Sequence, residues 1–296
     1  MKNLCLVNKG KTMYRNIEII SSLKDFQNYC KSNRLAGKTI GLVPTMGFLH
    51  EGHLSLMRQS RAGNDISVIS IFVNPTQFGP AEDYDAYPRD LDRDSRMASE
   101  AGVDVIFAPS ARDMYPEGYA TYVNIERITE KMCGTSRPGH FRGVTTVVSK
   151  LFNLAQPHRA YFGQKDAQQA IVIKQMARDL NFDIEIIVMP IIREEDGLAM
   201  SSRNKYLSPE ERKAALVLRK SLLMAEGLFK SGVTEAAIIY NRIKDMIDFE
   251  PLAKIDYISI VDADTLDDVG KLRQNTLIAL AVFIGKTRLI DNIILT

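Results

Sequence analysis

The chain has 296 residues, 45% hydrophobic and 25% charged, the composition of a globular protein with length for about two domains. Thirty-eight Lys and Arg against 36 Asp and Glu leave a formal charge of +2, which argues against a dedicated DNA-binding or polybasic membrane protein. No apolar run approaches the roughly 18 residues of a membrane span, and Cys5, Cys30 and Cys133 are spaced neither as metal ligands nor as a disulfide framework.

Residues 1–16 lack periodicity and read as an extension. The apolar patch Leu4 to Val7 is too short for a signal-peptide core, so the expected compartment is the cytoplasm. Lys38 to Val43 is a short β-rich run that breaks at Pro44 to Gly47, with a helix around His53 to Ala62. Asp65 to Val73 predicts a second strand, Leu91 to Ala101 a helix, and Asp104 to Ala108 a third strand. Then come a helix over Val144 to Ala155, a strand over Arg159 to Phe162, a helix over Ala167 to Leu180 and a strand over Asp183 to Met189. Strands alternating with such helices imply βαβ units around a parallel, Rossmann-like doubly wound α/β sheet.

The texture changes near Ile191, which sets the predicted boundary between a 17–191 domain and a smaller α+β domain over 192–296. Ser208, Pro209, Glu210 and Glu211 form a helix start, with a cap, a proline and first-turn acids. That helix runs to about Lys230 and a second covers Thr234 to Ile247. Three β-rich segments follow, Ile255 to Val261, Thr276 to Ile284 and Arg288 to Leu295, separated by turns and a short acidic helix.

Two of the four histidines stand in His50-Glu51-Gly52-His53, directly after a strand and a glycine turn. The i, i+3 spacing puts both imidazoles on one helical face. In an open α/β sheet this is the ligand-binding crevice, and a helix start offers free N–H groups to an anion. Gly52 lets the backbone approach a phosphate. Zinc is disfavoured, because no third ligand stands nearby. A second cluster, Gly163-Gln164-Lys165-Asp166, is again a strand end entering a helix; Lys165 suits polyphosphate, while Asp166 reads equally as a sugar-hydroxyl acceptor or a cap. Met200-Ser201-Ser202-Arg203-Asn204 can wrap a triphosphate, though alone it reads as a polar loop. The acids Glu82, Asp83, Asp85, Asp90, Asp92 and Asp94 read as a solvated helix start. Asp92 is the candidate for a water-mediated Mg²⁺ contact, since that ion favours one or two carboxylates plus phosphates and water. Arg137 to Gly143 reads as a basic glycine-rich loop, either a cover for the site or a charged connection.

In order, these segments resemble the HIGH and KMSKS pair of the nucleotidyltransferase superfamily. With Pro44 to His53, Ile71 to Gly79, Gly163 to Gln169 and Met200 to Asn204 taken together, the chain from about residue 17 resembles the pantoate:β-alanine ligases. The resemblance implies an ATP-dependent ligation of pantoate and β-alanine to pantothenate through a pantoyl adenylate, with release of AMP and pyrophosphate. It implies ATP contacts from Met46, Gly47, Phe48, Leu49, His50, Glu51, Gly52, His53, Gly163, Gln164, Lys165, Asp166, Ile192, Met200, Ser201, Ser202 and Arg203. Within that set His50, His53, Lys165, Ser201, Ser202 and Arg203 would be catalytic, with His53 the acid. Gln77 and Gln169 would hold pantoate, with Gln77 also near β-alanine. Neutral amides suit a small hydroxy acid, although Gln77 alone would read as an exposed loop amide. A homodimer is expected, with no nucleic-acid or membrane partner. The rivals are a nucleotidyltransferase that keeps the nucleotide in its product and an RNA-binding module of the same ancestry; near-neutral charge counts against the second. The Met200 to Arg203 loop, flanked by the backbone-permissive Gly197 and Asn204, is expected to be mobile until ATP binds.

Overall fold

A computed structural model describes residues 17–79 and 84–296 of the chain. The predicted extension over 1–16, Cys5, Glu82 and Asp83 lie outside the described residues. In chain order the first half comprises β1 (Glu18–Ile20), α1 (Leu23–Leu35), β2 (Ile40–Thr45), α2 (Glu51–Gly63), β3 (Ile66–Ile71), α3 (Leu91–Glu100), β4 (Val105–Phe107) and the one-turn α4 (Ala111–Met114). It continues with the one-turn α5 (Cys133–Ser136), α6 (His140–Ala155), β5 (Arg159–Gly163), α7 (Ala167–Asp179) and β6 (Glu185–Met189).

All six strands are parallel, in the order β1-β4-β3-β2-β5-β6. The chain winds outward from β2 through β3 to β4, then restarts at β5 on the other side of β2. The carboxyl ends of β2 and β5 therefore form the topological switch point, where such sheets bind ligands. Both faces are covered, as a parallel sheet requires. Phe26 and Cys30 of α1, Val144 and Leu151 of α6, and Ile173 and Met176 of α7 pack with Ile40, Leu42 and Val68 on one face. Leu56 and Met57 of α2 and Ala98 of α3 pack with Val43 and Ile69 on the other.

The second half comprises α8 (Pro209–Lys230), α9 (Ala236–Asp248), β7 (Ala253–Asp262), β8 (Thr276–Ile284) and β9 (Thr287–Ile294). The Ser208 side chain accepts from Glu211 N–H while Glu211 reaches back to Ser208 N–H, a complete capping box. The three strands form an antiparallel sheet in the order β7-β8-β9. One face packs on α8 and α9 through Leu218, Leu222, Ile239, Ile243, Ile278 and Leu280. The other meets Met132 and Ala167 of the first half through Val261, Leu277 and Ala279.

Three differences from the predicted elements have physical causes. β1 and α1 have no counterpart among the predictions, because the buried positions of α1 are Phe26 and Cys30 alone, too sparse a stripe for periodicity to reveal. α6 starts at His140, after Gly139 in a left-handed conformation (φ 83°), so His140 to Arg142 are its first turn and not part of an open loop. The expected acidic helix after β7 is a turn, in which Asp262 Oδ1 accepts from the N–H groups of Asp264 and Thr265.

Candidate active site

The turn between β2 and α2 is built before any ligand arrives. Gly47 has φ 82° and Phe48 φ 50°, a left-handed pair that the glycine makes accessible. Thr45 Oγ1 accepts from Gly47 N–H at 3.1 Å and donates to the Ser70 carbonyl at 2.7 Å. Asp94, 1% exposed, accepts from Phe48 N–H at 2.6 Å and from Leu49 N–H at 2.8 Å. Burial pushes its carboxyl pKa up, while those two N–H groups oppose the shift. Asp94 is thus no solvated acid. It shares the buried stripe of α3 with Ala98, four residues on, a helical spacing that marks it as inward-facing. Arg93 donates to the Leu49 carbonyl at 2.8 Å and lies over the Phe48 ring, whose centroid is also 4.1 Å from Lys205 Nζ.

His50 caps α2, and its N–H donates to Nδ1 of His53 at 3.3 Å. That bond leaves the His53 proton on Nε2 as a donor. The two rings lie 4.0 Å apart, tilted by 32°. His50 Nδ1 is buried without a partner. Burial, then the Lys165 charge, pushes the His50 pKa down to about 4. Burial, then His50 and Lys165, holds His53 well below the imidazole range. At neutral pH the pair is uncharged. The N–H groups of Gly47, Phe48, Leu49 and His50 are all spent within the protein, so anion binding here falls to the side chains and to the first turn of α2. Gly52 has a further constraint beside the one the sequence suggests: a Cβ there would stand 2.9 Å from His50 Cε1.

β5 runs out through Gly163 into a 3₁₀ turn, Gln164–Asp166, that carries half-buried Lys165 to the same crevice. Burial lowers the Lys165 pKa, with Asp166 opposing the shift. The third segment arrives from the far side of β6. Arg193 bridges Ala199, and Met200 N–H donates to the Ile192 carbonyl at 3.0 Å. Ser201 Oγ accepts from Arg203 N–H at 3.2 Å, starting the turn Ser202–Tyr206. Asn204 is buried and donates to Glu194 Oε1 at 2.6 Å and to the Ala199 carbonyl at 3.1 Å. These bonds anchor the loop at its Asn204 end.

Gln77 joins these segments from a 3₁₀ turn capped by Asn74, its Nε2 3.1 Å from Met46 Sδ. Asn74 Nδ2 donates to Gln77 Oε1 at 3.0 Å and to the Gly143 carbonyl at 3.1 Å, and Tyr115 OH donates to Asn74 Oδ1 at 2.8 Å. His140 Nδ1 and Arg137 Nη2 reach the Gln77 carbonyl at 2.8 and 3.3 Å. The crevice so formed encloses about 1490 Å³ including its mouth. Its walls bring together Met46, His50, Gly52, His53, Gln77, Gly163, Lys165, Asp166, Gln169, Ile192, Met200, Ser201, Ser202 and Arg203. Of the other expected residues, Leu49 is core, Glu51 pairs with Arg58, Gly47 and Phe48 shape the turn, and Gln164 bonds Asn292 at 3.2 Å.

Exposed Asp92, in the first turn of α3, does not reach the walls. Asp166 is their carboxylate, and no group of three His, Cys, Asp or Glu able to hold a metal ion occurs among the described residues. This donor set fits a divalent ion carried in on a polyphosphate, not a protein cage. Asp94, Asn74, Asn292 and the Arg193–Asp291 pair escape motif reading. Asp94 betrays itself by helical register with Ala98, and Asn292 by its place inside an apolar strand.

The family model for pantoate-beta-alanine ligase matches residues 18–294. The pantothenate synthetase of Acetivibrio thermocellus is 62% identical over 94% of this chain and 99% of its own length. That of Moorella thermoacetica is 58% identical with the same coverage. The crystal structure of pantothenate synthetase from Thermus thermophilus superposes with a TM-score of 0.89 at 45% identity, covering 94% of this chain and 99% of that one. The pantoate-beta-alanine ligase of Francisella tularensis, complexed with beta-gamma ATP and beta-alanine, gives 0.76 at 37% identity, covering 94% and 97%. Every crevice segment lies inside the matched span, and the chain belongs to the pantoate-beta-alanine ligase family.

Proposed function

We propose that this crevice condenses pantoate with β-alanine in two steps. The pantoate carboxylate attacks the α-phosphorus of ATP, giving pantoyl adenylate and pyrophosphate. The free amine of β-alanine then attacks the acyl carbonyl, and AMP leaves as pantothenate forms. The observation that carries the reading is a cleft lined by two chemically different sets of groups. One set is His50, His53, Lys165, Ser201, Ser202 and Arg203; the other is Gln77 and Gln169 with the apolar Phe72, Val144, Val147 and Val148. The first suits a triphosphate. The second suits a branched hydroxy acid, with amides for its oxygens and methyl-sized surfaces for its carbon skeleton.

In this reading His53 Nε2–H and Lys165 follow charge developing on the α-phosphate, each a pre-aimed donor of the kind worth about 2.7–4 kcal/mol in the transition state. His53 is a hydrogen-bond donor in its neutral form, and His50 fixes its tautomer through the backbone. Ser201, Ser202 and Arg203 hold the departing pyrophosphate. Met46, Gly52, Gly163, Ile192 and Met200 surround the nucleotide, and Asp166 accepts from a ribose hydroxyl. Gln77 and Gln169 hold pantoate, with Gln77 next to incoming β-alanine. Gly47, Phe48, Leu49, Glu51 and Gln164 act by shaping the walls. Mg²⁺, held by the ATP phosphates and not by a protein cage, would supply neutralisation of phosphate charge. Residues 17–191 work as the substrate platform and 192–296 as the part that brings Arg203 over it. Free Cys30 and Cys133 support a reducing cytoplasm, and the reading expects a homodimer, which sedimentation checks. Incubation with ATP, pantoate and β-alanine should yield pantothenate, AMP and pyrophosphate in equal amounts; ADP and phosphate would exclude the adenylate.

A further inference from the structure

The edge strand β9 reads Thr-Arg-Leu-Ile-Asp-Asn-Ile-Ile, and its two central polar residues, Asp291 and Asn292, are each only 2% exposed. Burying a carboxylate and an amide in an apolar strand is costly unless both are paired. Both are paired, each to a different segment of the crevice. Successive strand residues face opposite sides of a sheet. Leu289 packs toward α8 and α9 while Ile294 packs toward Met132 and Ala167, so Asp291 and Asn292 point to these two sides in turn.

On the α8 side, Asp291 takes both Nη atoms of Arg193, at 2.7 and 2.9 Å. Arg193 also donates to the Gly197 carbonyl at 3.1 Å and bridges Ala199, which fixes the hairpin leading into Ser201 and Arg203. On the other side, Asn292 Nδ2 donates to the carbonyls of Gln164 at 2.9 Å and Lys165 at 3.0 Å, and its Oδ1 accepts from Gln164 Nε2. Asn292 N–H donates to Asp291 Oδ1 at 2.8 Å, joining the two arms. Neither residue is on the wall of that crevice, although both line an adjoining cavity that shares Lys165, Asp166, Gln169, Ser201 and Arg203 with it. We infer that Asp291 and Asn292 form a bracket that sets the spacing between the Lys165 turn and the Ser201–Arg203 segment, and so act as positioning residues for nucleotide activation.

The inference rests on the proposed reaction, and one assay separates the two: pantoate-dependent exchange of pyrophosphate into ATP. Misplacing a catalytic group by about 1 Å costs on the order of a hundredfold in rate. Asn292→Ala should therefore lose roughly ten- to a hundredfold in exchange rate at saturating substrates, with each KM changed by less than about threefold. A residue that acts through Lys165 has nothing left to position once that amine is gone. Asn292→Ala combined with Lys165→Ala should then be no slower than Lys165→Ala alone, whereas a merely structural residue would multiply the two losses. Asp291→Asn should show the same non-additivity with Arg203→Ala. If Asn292→Ala does not fold, Asn292→Leu keeps the volume within an apolar strand but cannot donate to either carbonyl, and it carries the same cycle. Full exchange by a folded Asn292 variant, or multiplicative losses, would overturn the bracket. Absence of exchange in the wild type would instead overturn the reaction on which it rests.

Discussion

The His50 and His53 rings are the most strongly displaced titrating groups of the crevice, and the sign of their effect on stability follows from the displacement. Unfolded, both titrate near 6.5; folded, His50 falls to about 4 and His53 lies well below its usual range. Between those values the unfolded chain binds more protons, so stability rises with pH and is lost as pH falls from about 7 toward 5. For His50 this amounts to about 1–2 kcal/mol after allowing for its partial exposure. Melting curves at pH 5 and 7.5 should show His50→Asn with a smaller acid loss than wild type; an equal loss would place the titration elsewhere. Asp94 is the second test at this scale. Asp94→Ala leaves the Phe48 and Leu49 N–H groups without their acceptor, at a cost of about 2–4 kcal/mol, and releases the turn that presents both histidines. A lower midpoint in urea together with a steep fall in turnover is expected, while a normal turnover would mean that the turn holds its shape without it. The histidine motif is legible in the chain because its chemistry is local. The carboxylate that shapes it lies 44 residues downstream of His50 and is hidden among five other acids.

At the scale of elements, α6 decides where Gln77 stands. Gly143 approaches the preceding 3₁₀ turn so closely that a Cβ would meet the Thr76 carbonyl oxygen at 2.2 Å and Gln77 N at 2.6 Å. These are backbone atoms and cannot step aside as a flexible side chain would. Gly143→Ala should cost about 1–3 kcal/mol of stability through overpacking and shift Gln77, raising KM for pantoate more than KM for ATP. Equal effects on both substrates would separate this contact from pantoate binding. The strands β3 and β8 and the long helix α8 are legible because each carries a dense apolar pattern or a complete cap. α1 is not legible, since it buries only Phe26 and Cys30 and owes its helix to the sheet beneath it as much as to its own sequence. The start of α6 at His140 depends on Gly139 adopting φ 83°, a choice that nothing local in a glycine-rich stretch dictates.

Across the whole molecule, the segment from Arg193 to Asn204 links the two sheets. The Arg193–Asp291 pair, the Asn204 anchor and the contacts of Arg212 with Glu194 at 2.6 Å and Asp196 at 2.8 Å hold it as a unit. In the proposed reaction Arg203 acts on pyrophosphate departure and not on the amine. Arg203→Ala should lose most pantoate-dependent pyrophosphate exchange yet still turn chemically supplied pantoyl adenylate and β-alanine into pantothenate; a defect confined to amide formation would reverse that assignment. What the sequence by itself determined is the alternation of strands and helices, the change of texture near Ile191 and the motif residues. These rest on hydrophobic period, caps and glycine turns, which are properties of neighbouring residues. The tertiary structure alone decided that β2 and β5 adjoin to open the crevice, that Asp94 rather than a phosphate takes the turn's N–H groups, and that β9 grips two crevice segments at once. Those outcomes depend on long-range pairings, and a buried polar group reveals its purpose only when the partner that satisfies it, distant in the chain, stands beside it.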